Sequence, residues 1–177
     1  PLIVHVCSVE AAEKLAVFSP HAYQMAENFW PGPLTLILPK KDCVPDLVTA
    51  GNPTVALRIP KHPVFLKILK RLGHPLAAPS ANPSNRTSPT EAKHLMELFG
   101  EKCPPTVDGG KCSVGIESTV LDLSQEIPTI LRPGAITRKL IKDKTGMEVR
   151  ILQEEIANHA QKPTQTSMVS PGMQAVH

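Results

Sequence analysis

The sequence predicts an α/β protein. Short apolar, β-branched runs recur along the chain and stop at polar or proline-marked loops, and amphipathic helical stretches fall between them. A third observation is the stretch 76–90, where Leu76-Ala77-Ala78 gives way to hydroxyls, amides, prolines and Arg86. It reads as a strand that ends in a polar loop. The loop then hands over to a helix, because Ser88, Pro89 and Glu91 spell a capping box with proline at the first helical position. In α/β proteins the crevice past the carboxyl end of a strand, facing a helix N-terminus, is a common ligand site, and a phosphate or carboxylate would fit there. The same residues also suit a plainer role, capping a helix and closing a turn.

Taken in order, residues 1–6 (Pro-Leu-Ile-Val-His-Val) form a buried strand with His5 as its one polar intruder, a satisfied core histidine or a ligand. Helices follow over about 9–16 and 20–29, until Trp30-Pro31-Gly32-Pro33 breaks the pattern and 34–38 forms a second strand. Residues 40–53 read as a polar loop. In the third strand, 54–60, Thr54 and Arg58 project from one face. An arginine in so apolar a strand requires an exposed edge, an internal ion pair, or an anion held bidentately. Residues 62–72 make an amphipathic helix closed by Gly73, with Lys67, Lys70 and Arg71 on its solvated side. A further helix ends at Gly100, and 107–110 is a turn. Residues 115–123 turn into a strand, and 129–134 is a strand ending in Arg132. Thr137 caps a short basic helix to Lys144, and 147–151 is the last strand. The apolar pattern fades from Gln153, so 153–177 is expected to be linker or tail behind a domain over 1–152.

The 177 residues suffice for one domain with a sizeable core. Four cysteines, none in a C-x-x-C pair, support neither a zinc ribbon nor a redox motif and suggest a reducing, cytoplasmic setting. No apolar run approaches 18 residues and no secretory leader is visible, so no membrane contact is expected. A net charge of +3 permits an anionic ligand without demanding a polyanion, and 3% aromatics leave few stacking platforms for single-stranded nucleic acid. The 19 prolines exceed the usual proportion of about 5%, and their position at strand ends and helix starts points to well-defined loops.

The commoner nucleotide, zinc and hydrolase signatures are absent. What remains is a set of hydroxyls and arginines at strand ends: Thr54, Arg58, Ser80, Ser88, Ser118 and Arg132. Such groups bind and orient anions, and none is an activated nucleophile beside a base. The set favours a reaction driven by positioning and charge stabilisation, such as phosphoryl or nucleotidyl transfer.

Six motifs occur in a telling order: Pro1-Leu2-Ile3-Val4-His5-Val6, Trp30-Pro31-Gly32-Pro33-Leu34-Thr35, Thr54-Val55-Ala56-Leu57-Arg58-Ile59-Pro60, Ala78-Pro79-Ser80-Ala81-Asn82, Ser118-Thr119-Val120 and Leu131-Arg132-Pro133-Gly134. The set, spanning about 1–134, resembles the YrdC-like family of threonylcarbamoyl-AMP synthases, in particular its two-domain type. The resemblance implies an α/β fold with a twisted, open, mixed sheet flanked by helices around a large basic cavity. It implies a reaction that joins L-threonine, bicarbonate and ATP into threonylcarbamoyl-AMP with loss of pyrophosphate, for the threonylcarbamoyl modification of the adenosine next to the tRNA anticodon. Matched position by position, His5, Arg58 and Ser118 resemble the threonine contacts. Thr54, Ala78 through its backbone, Ser80, Asn82, Ser88 and Arg132 resemble the ATP contacts. Mg²⁺ is expected on the phosphates, with no dedicated carboxylate cluster to hold it. The implied partners are the three substrates, a downstream tRNA-modifying threonylcarbamoyl transferase and, as a further contact, tRNA or double-stranded RNA.

Against the family pattern, an upstream strand and loop and a Lys-x-Arg-Pro segment are expected before Pro1, and a smaller second domain after Ser170-Pro171-Gly172-Met173. Two other readings compete: a carbamoyl-adenylate-forming domain, which would come with zinc-finger-like cysteine motifs, and a non-catalytic RNA-binding module.

Overall fold

Period-two alternation and capping signals divide the chain into strands and helices much as its residues suggest. The computed structural model describes residues 1–83 and 86–158, for Glu155 and Asn158 the backbone alone. The elements are β1 (Ile3–His5), α1 (Val9–Glu13), α2 (Pro20–Phe29), β2 (Leu34–Pro39), α3 (Asp46–Thr49), β3 (Thr54–Arg58), α4 (Pro63–Leu72), β4 (Leu76–Ala78), α5 (Ala92–Phe99), β5 (Thr119–Asp122), β6 (Thr129–Arg132), α6 (Arg138–Thr145), β7 (Arg150–Ile151) and α7 (Leu152–Asn158). Within 1–152, the span read from the sequence as one domain, contacts fall into two compact units. One comprises 1–78 with the residues from 117 onward, and the other 79–116.

The first unit is a mixed seven-stranded sheet in the order β4-β1-β3-β2-β5-β6-β7. β1 runs parallel to β3, β2 to β5 and β6 to β7, and the remaining neighbours are antiparallel. Side-chain alternation gives the sheet two unlike faces. One face carries Val4, Leu36, Leu38, Val55, Leu57, Leu121 and Ile130, packed with Ala12 of α1, Met25 and Phe29 of α2 and Ile141 of α6. Each fully buried leucine or isoleucine there contributes about 1.5–3 kcal/mol. The other face has a thinner apolar cluster of Ile3, Ile37, Ala56, Val120 and Leu131, against which Leu152 packs.

The helix signals hold at several ends. The hydroxyls of Ser8, Ser19 and Thr137 accept from the backbone N–H three residues on, and Pro20 opens α2. Gly73 closes α4 in the left-handed conformation that a side chain disfavours.

The structure corrects other expectations. The loop 40–53 contains α3, a single turn too short for a periodic signal. The strand expected over 147–151 pairs only at Arg150 and Ile151, and a helix follows where the apolar pattern fades. The capping box at Ser88 does not form. In the 79–116 unit α5 begins at Ala92, after Glu91, with no side-chain cap. The Ser88 hydroxyl instead donates to Asn82 Oδ1 (3.2 Å), while Glu91 pairs with Lys93 and Lys111. Local side-chain partners for Ser88 and Glu91 out-compete the cap. Ser84, Asn85 and the stretch 159–177, including Ser170-Pro171-Gly172-Met173, lie outside the described residues. No helix among the described residues is long and apolar enough to cross a membrane.

Candidate functional site

The thinly covered face carries several of the polar residues singled out in the sequence. Strand register aligns a transverse row across the sheet. His5 of β1 lies opposite Arg58 of β3. Extending the β2–β3 register by one residue sets Thr35 beside Arg58, Thr35 pairs with Val120, and Val120 with Arg132. Ser118 enters the row from the start of β5. Polar side chains from five distant segments therefore meet at one end of the sheet, where β1, β3 and β6 finish and β2 and β5 begin.

The loop 30–33 anchors Arg58. Trp30 Nε1 donates to the Leu34 carbonyl (2.7 Å), Gly32 N to Ile59 O (2.9 Å), and Arg58 Nε in turn donates to the Gly32 carbonyl (3.0 Å). Gly32 has no room for a side chain, since a Cβ would sit 2.2 Å from the Phe29 carbonyl oxygen. β3 lies between β1 and β2, so Arg58 is not on an exposed edge. No carboxylate among the described residues lies within ion-pair distance of it. Of the three explanations for an arginine in this strand, the exposed edge and, among the described residues, the ion pair are thus removed. Burial, and secondarily the charge of Arg132, lower its pKa.

His5 is likewise no satisfied core residue. Its ring contacts Phe65 with centroids 5.1 Å apart, and its Nδ1 is buried without a hydrogen-bond partner. Burial first, and the Arg58 charge second, push its pKa down to about 4, against weak opposition from the Leu76 and Ile3 backbone. The imidazole is neutral at physiological pH.

Arg132 is held in place. Its Nε and Nη2 donate to the Ser118 carbonyl (3.1 and 2.9 Å), Nη2 also to Ser118 Oγ (3.0 Å), and Nη1 pairs with the Glu117 carboxylate. Burial lowers the Arg132 pKa, and Glu117 opposes that shift. Thr35 Oγ1, fully buried, lies 2.9 Å from Ser118 Oγ. Gly134 lets the 117–119 backbone approach, since a Cβ there would lie 2.5 Å from both Glu117 O and Thr119 N. Two guanidiniums, of which only Arg132 has a carboxylate partner among the described residues, give the row a net positive charge.

The residues expected from the sequence thus fall into three sets. His5, Arg58, Ser118 and Arg132 come together in the row. Thr54 and Ala78 sit on the same face at the opposite end of their strands, Thr54 four residues, or about 13 Å, from Arg58. Ser80, Asn82 and Ser88 belong to the 79–116 unit, where Asn82 Nδ2 donates to the carbonyls of Pro83 (3.0 Å) and Arg86 (2.8 Å). Sequence reasoning did not select Thr35 and Glu117. Alternation between Leu34 and Leu36 was the available signal for Thr35; nothing local marks Glu117, whose partner is 15 residues away.

Comparison with known proteins places the chain in a family. The Sua5/YciO/YrdC family model, described as "Telomere recombination", matches residues 1–134. A threonylcarbamoyl-AMP synthase of Pyrococcus abyssi is 47% identical over 152 residues, covering 85% of this chain and 44% of that protein. One from Bacillus subtilis is 41% identical over 179 residues, covering 100% and 50%. The crystal structure of P. abyssi Sua5 complexed with L-threonine matches with a TM-score of 0.87 at 43% identity, over 100% of this chain and 51% of that one. E. coli YciO shares the fold at 20% identity, with a TM-score of 0.68 over 76% of this chain and 66% of that one. The chain spans about half the length of the curated relatives it matches. On the match over 1–134 and these identities, the chain belongs to the Sua5/YciO/YrdC family.

Proposed function

We propose that the protein containing this chain is an L-threonylcarbamoyladenylate synthase. The observation that carries this reading is Arg58, half-buried, without a carboxylate partner among the described residues, and in one row with a neutral His5 and a second arginine. Relatives named threonylcarbamoyl-AMP synthase, and a related structure that holds L-threonine, support it.

In this reading Arg58 grips the threonine carboxylate through its planar fork. His5, neutral, offers Nδ1 as an acceptor, and Ser118 offers a hydroxyl. Bicarbonate and the threonine amine condense to a carbamate with loss of water. A carbamate oxygen attacks the α-phosphorus of MgATP, a new P–O bond forms, the bond to the β-phosphate oxygen breaks, and pyrophosphate leaves with the electron pair. The nucleophile belongs to the substrate, so the chain's residues act by positioning and charge neutralisation. Arg132 faces the phosphates, with Thr54, the Ala78 backbone, Ser80, Asn82 and Ser88 as the remaining ATP contacts. A Mg²⁺ bound with ATP would neutralise phosphate charge, alongside Arg132. The adenylate passes to a threonylcarbamoyl transferase acting on tRNA, in the cytoplasm, a setting that four free cysteines suit.

A second reading, a polyanion-binding module, draws on one observation: residues 47–90 contain no Asp or Glu but carry Arg58, Lys61, Lys67, Lys70, Arg71 and Arg86. The deciding experiment measures pyrophosphate release from ATP and bicarbonate by the full-length protein, with and without L-threonine. Threonine-dependent release is the expected result. A folded protein that releases none, yet binds RNA with a steep salt dependence, would reverse the order of the two readings.

A further inference from the structure

At the row end of the sheet three hydroxyls, of Thr35, Ser118 and Thr119, are buried, and their protons do not all have the same fate. Thr119 Oγ1 donates to the Ile136 carbonyl (2.8 Å) and accepts from the Ile136 N–H (3.0 Å), so it belongs to the fold. Thr35 Oγ1 and Ser118 Oγ, 2.9 Å apart, differ. A hydroxyl has one proton and two lone pairs. Arg132 Nη2 fills one Ser118 lone pair (3.0 Å), and an arginine can only donate. The contact between the two hydroxyls uses one proton, which leaves one O–H without an acceptor among the described residues.

Both residues are buried, Ser118 at 3% exposure, so their places in the sheet identify which proton that is: Ser118 stands at the open start of β5. Thr35 is wholly enclosed (0% exposed) in β2, between β3 and β5, with Ser118 as its side chain's one hydrogen-bond partner among the described residues. If Ser118 donated to it, the Thr35 proton would be sealed away unsatisfied, an arrangement proteins avoid. Thr35 therefore donates. Ser118 accepts from both Thr35 and Arg132, and its own proton points away from them, at the strand end shared with Arg58.

We propose that Thr35 is a positioning residue that, together with Arg132, makes Ser118 an obligate hydrogen-bond donor to the substrate. The group facing Ser118 is then an unprotonated oxygen, a carboxylate, carbamate or lone-pair-bearing hydroxyl, and not an ammonium. This rests on the synthase reading and on Ser118 serving threonine. It adds a residue and a polarity to that subsite.

The test uses the full-length protein and measures KM for L-threonine and for ATP separately in pyrophosphate release. Threonine-dependent activity of the unaltered protein is the control for the synthase reading; its absence would sink that reading before the hydroxyl pair is addressed. Thr35→Val keeps shape and removes the donor. It should raise KM for threonine about tenfold, the worth of one oriented hydrogen bond to a charged group, and leave KM for ATP unchanged. Thr35→Ser should restore it. In a Ser118→Ala background Thr35→Val should have no further effect, because the residue acts through Ser118. An unchanged threonine KM, equal losses for both substrates, or an undiminished Thr35→Val effect in the Ser118→Ala background would each overturn the proposal. Should Thr35→Val fail to fold, comparing Thr35→Ser with Thr35→Ala asks the same question.

Discussion

Arg58 and His5 are coupled by charge and by register, and each gives a distinct measurement. An arginine clamp for a carboxylate makes two charge-assisted hydrogen bonds, so Arg58→Ala should raise KM for threonine about a hundredfold and alter KM for ATP little. Equal losses would contradict the assignment. Glu117 competes for Arg132 from a more exposed position, its side chain 42% accessible against 16% for the arginine. Such a pair contributes little to stability. Glu117→Gln should therefore lower KM for ATP about threefold, more at low ionic strength, with a melting temperature close to the parent's. A raised KM would mean that Glu117 holds Arg132 in its working position. His5 links the site to pH. Its folded pKa of about 4 lies below the ordinary 6.5, so the unfolded chain takes up a proton that the folded chain refuses. Stability is full above pH 6.5, declines as pH falls, and levels off below about 4. The loss from this group reaches about 3 kcal/mol, and urea unfolding at several pH values should find it flattened in His5→Gln.

Between elements, glycine decides how closely loops approach. Gly134 follows β6 and lies against the 117–119 backbone, which carries both the Ser118 carbonyl gripped by Arg132 and the Thr119 hydroxyl bonded to Ile136. A methyl group there meets backbone that cannot swing aside. Gly134→Ala should cost about 1–3 kcal/mol, read as a lower melting temperature, and should raise KM for both substrates as Arg132 and Ser118 move together. At this scale the sequence is partly legible. Proline and capping residues announce α2 and α6, and the motif ending in Arg132 announces β6. Ser88, Pro89 and Glu91 announce a helix start that the chain does not adopt, because Asn82, Lys93 and Lys111 offer nearer partners. A capping box is a local preference of about 1 kcal/mol, small enough for such contacts to override.

The molecule distributes its stability unevenly. In the sheet-bearing unit β2, β3 and β5 are almost wholly buried, whereas no described residue of 79–116 is fully buried, and α5 leaves Met96 64% exposed. Local opening free energy follows buried apolar contact. Amide hydrogen exchange should find the α5 amides at least about a hundredfold faster than those of Leu36 and Leu57. Comparable protection in the two would show that the 79–116 unit draws stability from contacts beyond its own.

The sequence by itself determined the α/β class, the strands and most helices, because alternation, caps and prolines are local. It also placed Arg58 and Arg132 at strand ends, and its ordered motifs carried the family resemblance. Only the tertiary structure decided that His5, Arg58, Ser118 and Arg132 share one row, that Arg58 has no carboxylate partner among the described residues, and that Thr35 meets the Ser118 hydroxyl. Those facts depend on strand order and register, and on contacts such as the one joining Thr35 to Ser118 across 83 positions. No local pattern encodes such a separation; it follows from which strands bury their faces together.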